Sequence, residues 1–334
     1  MASSISPFKT RVPRLAAALL LTALTAWLGS GLYTVELSPD MRLFKQEAAL
    51  KDRWAEKMTR EFGAKVLVFG GSSCTFSLDG ERLLNQFHLP VVNYGYGAEV
   101  GPMVLTEAVM SQVRPGDTLI VAVEPGLLTG PFAAPAAGVQ FAFALQHPGW
   151  VIHPAFSGPA DGWFHALAAL RPGSYHAFTL LGKIAGHRPL MRYAITDFNP
   201  SGFAQTKVRL PITGPPGHGP ELSADTRAML RQVRAWCDQR QVRVAYSLPW
   251  GYTPPDAKTA FQKSNIDFLR QVNEFIPVLK DPLLGADTNA EHYADTVWHL
   301  SGTGSALRTD AFGAELKNWD LWTDPELRRL KAQL

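Results

Sequence analysis

Serine, aspartate and histidine, the side chains that together carry out acyl transfer, stand in two distant segments of this chain. The first is Val66-Leu67-Val68-Phe69-Gly70-Gly71-Ser72-Ser73-Cys74, a run of β-formers that breaks into a turn of small residues. A serine there would sit at the carboxyl end of a buried strand, where open α/β sheets bind ligands. Gly70 and Gly71 would permit a sharp turn with unusual backbone angles. Backbone N–H groups at such a turn can hold a developing oxyanion. The second segment is Asp295-Thr296-Val297-Trp298-His299-Leu300-Ser301-Gly302, which places a carboxylate four residues before an imidazole. If the segment makes a helical turn, Asp295 can orient His299 and stabilise its imidazolium. The order Ser…Asp…His points to an α/β sheet rather than a β-barrel protease. Each signal also has a plainer meaning: an ordinary βα loop, a phosphate cradle or a structural histidine. The spacings G-x-x-x-x-G-K-[ST] and G-x-G-x-x-G are absent from the turn. Asp287, Glu291 and His292 compete with the acid–base pair, and their clustering reads as a solvated helix end.

The elements needed to position these residues are legible. Strand-like runs occur at Lys65–Phe69, Pro90–Asn93, Thr118–Val123 and Val242–Leu248, with a fifth expected at Ile276–Leu279. The first three are nearly continuous in Val, Ile and Leu, as parallel strands buried on both faces require. Helical patterns lie between them at Leu78–Phe87, Pro102–Gln112, Ser223–Arg240 (Ser223 as N-cap) and Asp256–Phe275, and a last helix follows His299 to Lys317. This alternation predicts a parallel α/β sheet. It is interrupted from about 126 to 220 by a stretch rich in Pro, Gly, Ala and aromatics, with histidines at no metal-ligand spacing. That stretch reads as an insertion of short helices, either a cap or membrane-facing surface or a plain elaboration of the core. Pro211–Pro220 closes it as a loop.

With 46% hydrophobic residues the chain has ample material for a core. A net charge of +3 without a basic block gives no nucleic-acid signature. Two cysteines, Cys74 and Cys237, make neither a disulfide framework nor a zinc site. One segment is not globular. Residues 15–35 carry no charge, and about 21 residues at about 1.5 Å each span a bilayer core. Lys9, Arg11 and Arg14 precede it, so the positive-inside rule keeps residues 1–14 in the cytoplasm and exports the remainder. This reads as a retained single-pass anchor; the rival is a cleaved signal peptide, with Gly29-Ser30-Gly31 as a passable site. Residues 36–63, with the amphipathic run 41–62, read as a helix linking the anchor to a domain at 64–334.

Over residues 65–125 and 240–310 the chain resembles the SGNH/GDSL hydrolase superfamily, in particular its membrane-anchored, exported branch associated with envelope polysaccharide acylation. The family's Gly-Asp-Ser aligns with Gly70-Gly71-Ser72, which puts the nucleophile on Ser72, with Ser73 as the neighbouring alternative. Its second block matches Asn93-Tyr94-Gly95-Tyr96-Gly97 and implies an oxyanion-binding N–H at Gly95 or Gly97. Its Asp-x-x-His corresponds to Asp295 and His299, with one extra residue between them. The continuation Leu300-Ser301…Gly304…Arg308-Thr309 is similar too. The resemblance implies a flavodoxin-like three-layer parallel sheet and a Ser72–His299–Asp295 triad that needs no metal or organic cofactor. It also implies a polysaccharide or acylated-glycan substrate, a periplasmic domain on the cytoplasmic membrane, and a membrane-bound O-acyltransferase or glycan synthase as partner.

Two departures bear on activity. Gly71 replaces the block-one Asp. The block-three Gly-x-Asn-Asp, whose Asn donates to the oxyanion, is absent, and Val123-Glu124-Pro125-Gly126 stands there instead. An ionised Glu124 would repel an oxyanion, and losing one donor costs about 3 kcal/mol. Alternatively, Glu124 binds the N–H groups of the block-one turn. The expected function is therefore a serine-dependent acyl esterase or O-acyltransferase. The alternative is a catalytically silent binding or scaffold subunit of a glycan assembly complex. Trp250 and Tyr252, at the carboxyl end of the fourth strand, are candidates for sugar stacking or for packing.

Overall fold

The structure, a computed structural model, describes residues 7–130, 134–156, 162–171, 174–188, 190–206, 208–212 and 216–334. The start of the expected cytoplasmic segment, parts of the 126–220 insertion and the middle of the Pro211–Pro220 loop lie outside them. The core is a parallel sheet of four strands: β1 (Val66–Gly70), β2 (Val91–Gly95), β3 (Thr118–Val121) and β4 (Arg243–Tyr246), in the spatial order β2-β1-β3-β4. Successive residues point to opposite faces. Leu67, Phe69, Val121 and Tyr246 enter one apolar cluster; Val68, Ile120 and Ala245 enter another. Helices cover both faces. Leu83 and Phe312, from helices Gly80–Phe87 and Gly302–Asn318, pack on the second face. Helices Pro39–Phe62, Pro102–Met110 and Ala224–Gln239 supply the first. The Lys65 ammonium and backbone N–H both bind the Asp117 carboxylate, which ties the starts of β1 and β3 together.

Most expected elements occur within a few residues of their predicted ends, and Ser223 caps its helix by accepting from Thr226 N–H. Three expectations change. The fifth strand shrinks to a single parallel bridge from Tyr246 to Val278. Pro277 contributes its carbonyl to Tyr246 N–H but has no N–H to give to the Val244 carbonyl, so the ladder cannot extend toward the start of β4. A further helix, Asp324–Gln333, follows the one expected to be last. It buries Leu327 and joins helix Lys258–Asn273 through Arg270–Asp324 and Lys331–Asp267 ion pairs. A short parallel pair, β5 (Gly251–Tyr252) and β6 (Ala286–Asp287), extends the carboxyl edge beyond β4.

One helix, over Val12–Leu37, is long and apolar enough to cross a membrane, and none of its most apolar stretch is buried against the protein. It ends at Ser38, whose hydroxyl caps the next helix, with Pro39 at the first position. That next helix, Pro39–Phe62, is more than a linker, because it packs into the α/β core. Met41, Phe44, Trp54 and Met58 are buried, and Trp54 Nε1 donates to the Val91 carbonyl. Lys51 is fully buried, binds Glu47 and the Gly95 carbonyl, and stands 4.0 Å from the Tyr96 ring centroid. Burial lowers the Lys51 pKa and raises that of Glu47, each opposed by the partner's charge. Lys51→Met should therefore cost about 2 kcal/mol, chiefly by orphaning the Gly95 carbonyl while Glu47 takes up a proton. Urea unfolding of the two proteins side by side checks this.

Candidate active site

Parallel register brings the key turns to one edge. Gly70 pairs with Gly95, and Phe69 with Val121, so the segments after β1, β2 and β3 emerge side by side. Ser72 opens the short helix Ser72–Thr75 directly after β1. Gly71 has an extended backbone (φ −77°, ψ −157°), and neither Gly70 nor Gly71 is left-handed. The turn thus demands glycine for close approach, not for unusual angles: a Cβ on Gly70 would lie 2.2 Å from the Ala122 carbonyl oxygen.

Glu124, just past β3, closes this turn. Its Oε2 accepts from Gly71 N–H at 3.0 Å and its Oε1 from Ser73 N–H at 2.9 Å. The carboxylate braces the turn on both sides of Ser72 instead of facing an open oxyanion position. Ser73 is fully buried and its hydroxyl has no partner among the described residues, so it offers no nucleophile. Cys74 is also sealed in, and burial pushes its thiol up to about 12. Ser72 is the one of the three that lines a cavity, of about 180 Å³, together with Thr75, Phe76, Gly97, Tyr193 and His299.

The acid–base pair forms, on a loop instead of a helical turn. An antiparallel bridge between Tyr293 and Leu300 closes it, Ala294 N–H donates to the His299 carbonyl, and Thr296 Oγ1 accepts from the N–H groups of Trp298 and His299. The loop absorbs the additional residue and sets His299 Nδ1 2.8 Å from Asp295 Oδ1. The Asp295 side chain is wholly buried. Its other oxygen accepts from Arg192 Nη1 at 2.8 Å and from the Tyr193 hydroxyl. Burial alone would raise its pKa, but hydrogen bonds from His299, Tyr193 and Arg192 outweigh that and hold it well below the usual carboxylate range. An ionised Asp295 is an acceptor only, so Nδ1 carries the imidazole proton and Nε2 is left as the basic nitrogen. Burial and the hydrogen bond to Asp295 push the Tyr193 phenol up to about 12, so it stays a donor. Phe76 packs on the imidazole with ring centroids 4.3 Å apart.

Ser72 and His299 share the cavity, but no hydrogen bond joins them among the described residues. Unliganded catalytic contacts are commonly loose. Of the expected oxyanion donors, Gly95 is engaged: its N–H donates to Asn93 Oδ1 at 2.8 Å and its carbonyl accepts from Lys51. Asn93 is an internal brace, donating to the Cys74 and Leu78 carbonyls. The N–H groups of Ser72 and Gly97 have no acceptor among the described residues, and Gly97 lines the cavity.

Trp250 and Tyr252 do not reach this cavity. Trp250 is buried, donates to Asp281 and lies against the Arg308 guanidinium, while Tyr252 packs edge-on against Tyr293. Asp287 and His292 pair with each other at 2.7 Å, apart from Ser72. The sequence reading missed Arg192, Tyr193, Met191 and Phe198 from the insertion, and Asp40, Phe44, Glu47 and Glu99 beside them, all holding Asp295 or lining the cavity. No local pattern marks them. Met-Arg-Tyr lies in a Pro- and Gly-punctuated stretch and acquires its role only by folding over the loop at 295–299.

Comparison with known proteins adds no assignment: no family model, no curated protein and no solved structure matches the chain.

Proposed function

We propose that this chain is an exported, membrane-anchored SGNH-like enzyme that removes or transfers an acyl group, in the manner of a carbohydrate O-acyl esterase or O-acetyltransferase. The observation that carries the proposal is the buried Asp295–His299 pair on the wall of the cavity that Ser72 lines. Ser72 Oγ attacks the ester carbonyl, and His299 Nε2 takes its proton and returns it to the leaving alcohol. Asp295 holds the imidazole tautomer. The oxyanion is met by the N–H groups of Ser72 and Gly97. Water or a glycan hydroxyl then attacks the acyl-serine. The spatial order of β2-β1-β3-β4, with the Val278 bridge beyond β4, agrees with the flavodoxin-like arrangement. The apolar helix before Ser38 serves as the anchor, with the α/β domain on the periplasmic side. A polysaccharide acceptor and a membrane-bound acyltransferase partner follow from the family resemblance.

Two observations favour a second reading, a silent scaffold of a glycan assembly complex: Gly95 N–H is taken and Ser72 makes no bond to His299. Fluorophosphonate labelling of the full chain separates the two. The enzyme reading expects labelling of the wild type and a loss of about a thousandfold or more in Ser72→Ala and His299→Ala. An unlabelled, folded wild type would overturn the triad mechanism and favour the scaffold reading.

A further inference from the structure

Beyond the anchor, most of the exposed large apolar side chains among the described residues are gathered between Trp163 and Leu190. All but Leu190 belong to two insertion helices, Gly162–Ala169 and Ser174–Ala185. Trp163, Phe164 and Leu167 project from the first, with Phe164 84% exposed. Phe178, Leu181 and Ile184 project from the second, with Phe178 73% exposed. Both sets follow helical spacing, so each helix shows an apolar face with no protein against it. No part of the α/β core explains these faces.

Their position and charge identify what covers them. A Cβ on Gly31, in the last turns of the anchor, would stand 3.8 Å from Leu170 Cβ at the end of the first insertion helix. A small cavity lined by Tyr33, Ser38, Thr179 and Lys183 joins the anchor's exit to the second. The apolar faces therefore lie at the level where the chain leaves the bilayer. Between residues 162 and 196 the sequence has no Asp or Glu; its charges are Arg171, Lys183, Arg188 and Arg192. Aromatic and aliphatic faces with Arg171, Lys183 and Arg188 beside them, and with Asp161 and Asp197 only beyond their ends, suit an anionic phospholipid surface. We propose that these two helices lie in the headgroup region of the membrane beside the anchor.

This rests on the anchor reading above and adds a seat for the domain. A few residues after the second helix, Met191 and Tyr193 line the Ser72–His299 cavity, and Arg192 between them binds Asp295. A second cavity, of about 350 Å³, runs from Tyr33 and Thr34 at the anchor's end to Asp40, Phe44 and Glu99, which it shares with the Ser72 cavity. Seating the helices in the interface thus turns the site toward the membrane surface, so that it would take an ester carried on a membrane-tethered molecule.

The test uses the full chain in vesicles of phosphatidylethanolamine and phosphatidylglycerol. Spin labels are placed by Phe164→Cys, Phe178→Cys, Leu20→Cys and Gln239→Cys, one per protein; the native Cys74 and Cys237 are buried and serve as the unlabelled background. Collision with oxygen reports lipid, and collision with a soluble nickel chelate reports water. The expected result is a severalfold higher oxygen-to-nickel ratio at 164 and 178 than at 239, approaching that at 20. A lipid signal at 20 with a water signal at 164 and 178 overturns the seat while leaving the anchor intact. A water signal at 20 overturns the anchor itself. Labels at 164 and 178 shielded from both reagents would mean that a protein covers these faces, and would also overturn the proposal.

Discussion

Asp295→Asn is expected to lower acyl transfer by about four orders of magnitude without unfolding the protein. The reason lies in what surrounds the carboxylate. Arg192 and Tyr193 both donate to Oδ2. In the Asn variant only the amide oxygen can satisfy two donors, so it occupies the Oδ2 position and turns the NH2 group toward His299 Nδ1. That nitrogen then becomes an acceptor and the imidazole proton moves to Nε2. An Nε2–H cannot accept the Ser72 proton, so the base is disabled while every atom keeps its place. The rate of p-nitrophenyl acetate turnover and of fluorophosphonate labelling would both show the loss. Unchanged rates in the Asn variant would remove His299 from the mechanism.

The same residue predicts a pH dependence of stability. Its carboxylate is held below the usual range in the folded chain. It therefore binds its proton more readily when unfolded, and its contribution is fully present above the unfolded value of about 3.9. That contribution is lost as pH falls through the lower folded value. The stability gap between wild type and Asp295→Asn should be flat above about pH 5 and narrow on acidification.

The parts of this molecule fixed by local pattern are those the sequence discloses. β1 and β3 are runs dominated by Val, Leu and Ile and bounded by Gly, Pro and Asp, and a strand buried on both faces has few other sequences open to it. Ser223 announces a helix because its hydroxyl meets an orphan N–H two or three residues on. The same logic was available at Thr323-Asp324-Pro325-Glu326, a capping box with Pro at the first turn, which marks the helix the sequence reading omitted. The Asp295–His299 pair was visible by residue type, but the loop that forms it was not, since it depends on Thr296 and a bridge from Tyr293 to Leu300. The choice left open for Trp250 could not be made from sequence, because position at a strand end does not fix direction; Asp281 and Arg308 draw its indole inward, into packing. Arg192 and Tyr193 were invisible, because their function consists of a contact across about a hundred residues of chain.

Glu124 decides the remaining question at the site, and its two readings predict opposite results. Were its carboxylate aimed at the oxyanion, Glu124→Gln would remove a repulsion and raise the rate. The geometry predicts the reverse. Each oxygen accepts one backbone N–H, from Gly71 and from Ser73, on either side of Ser72. Gln keeps one acceptor and opposes the other N–H with a second donor, so one buried donor is lost to the turn. Glu124→Ala orphans both, at about 1–3 kcal/mol each, so a destabilisation of about 4 kcal/mol is expected. Serine labelling should fall about a hundredfold or more in the Ala variant, because Ser72 and its N–H would no longer be held at the cavity. The neighbouring glycine belongs to the same device. A Cβ on Gly71 would stand 2.4 Å from Glu124 Oε2, so no larger residue fits while the carboxylate is present. A carboxylate at 71 and the one at 124, just past β3, would thus compete for the same space. Gly71→Asp would then fail with Glu124 in place, through collision and like charge. Paired with Glu124→Ala it should recover part of the lost labelling, a result that independent defects at the two positions would not give.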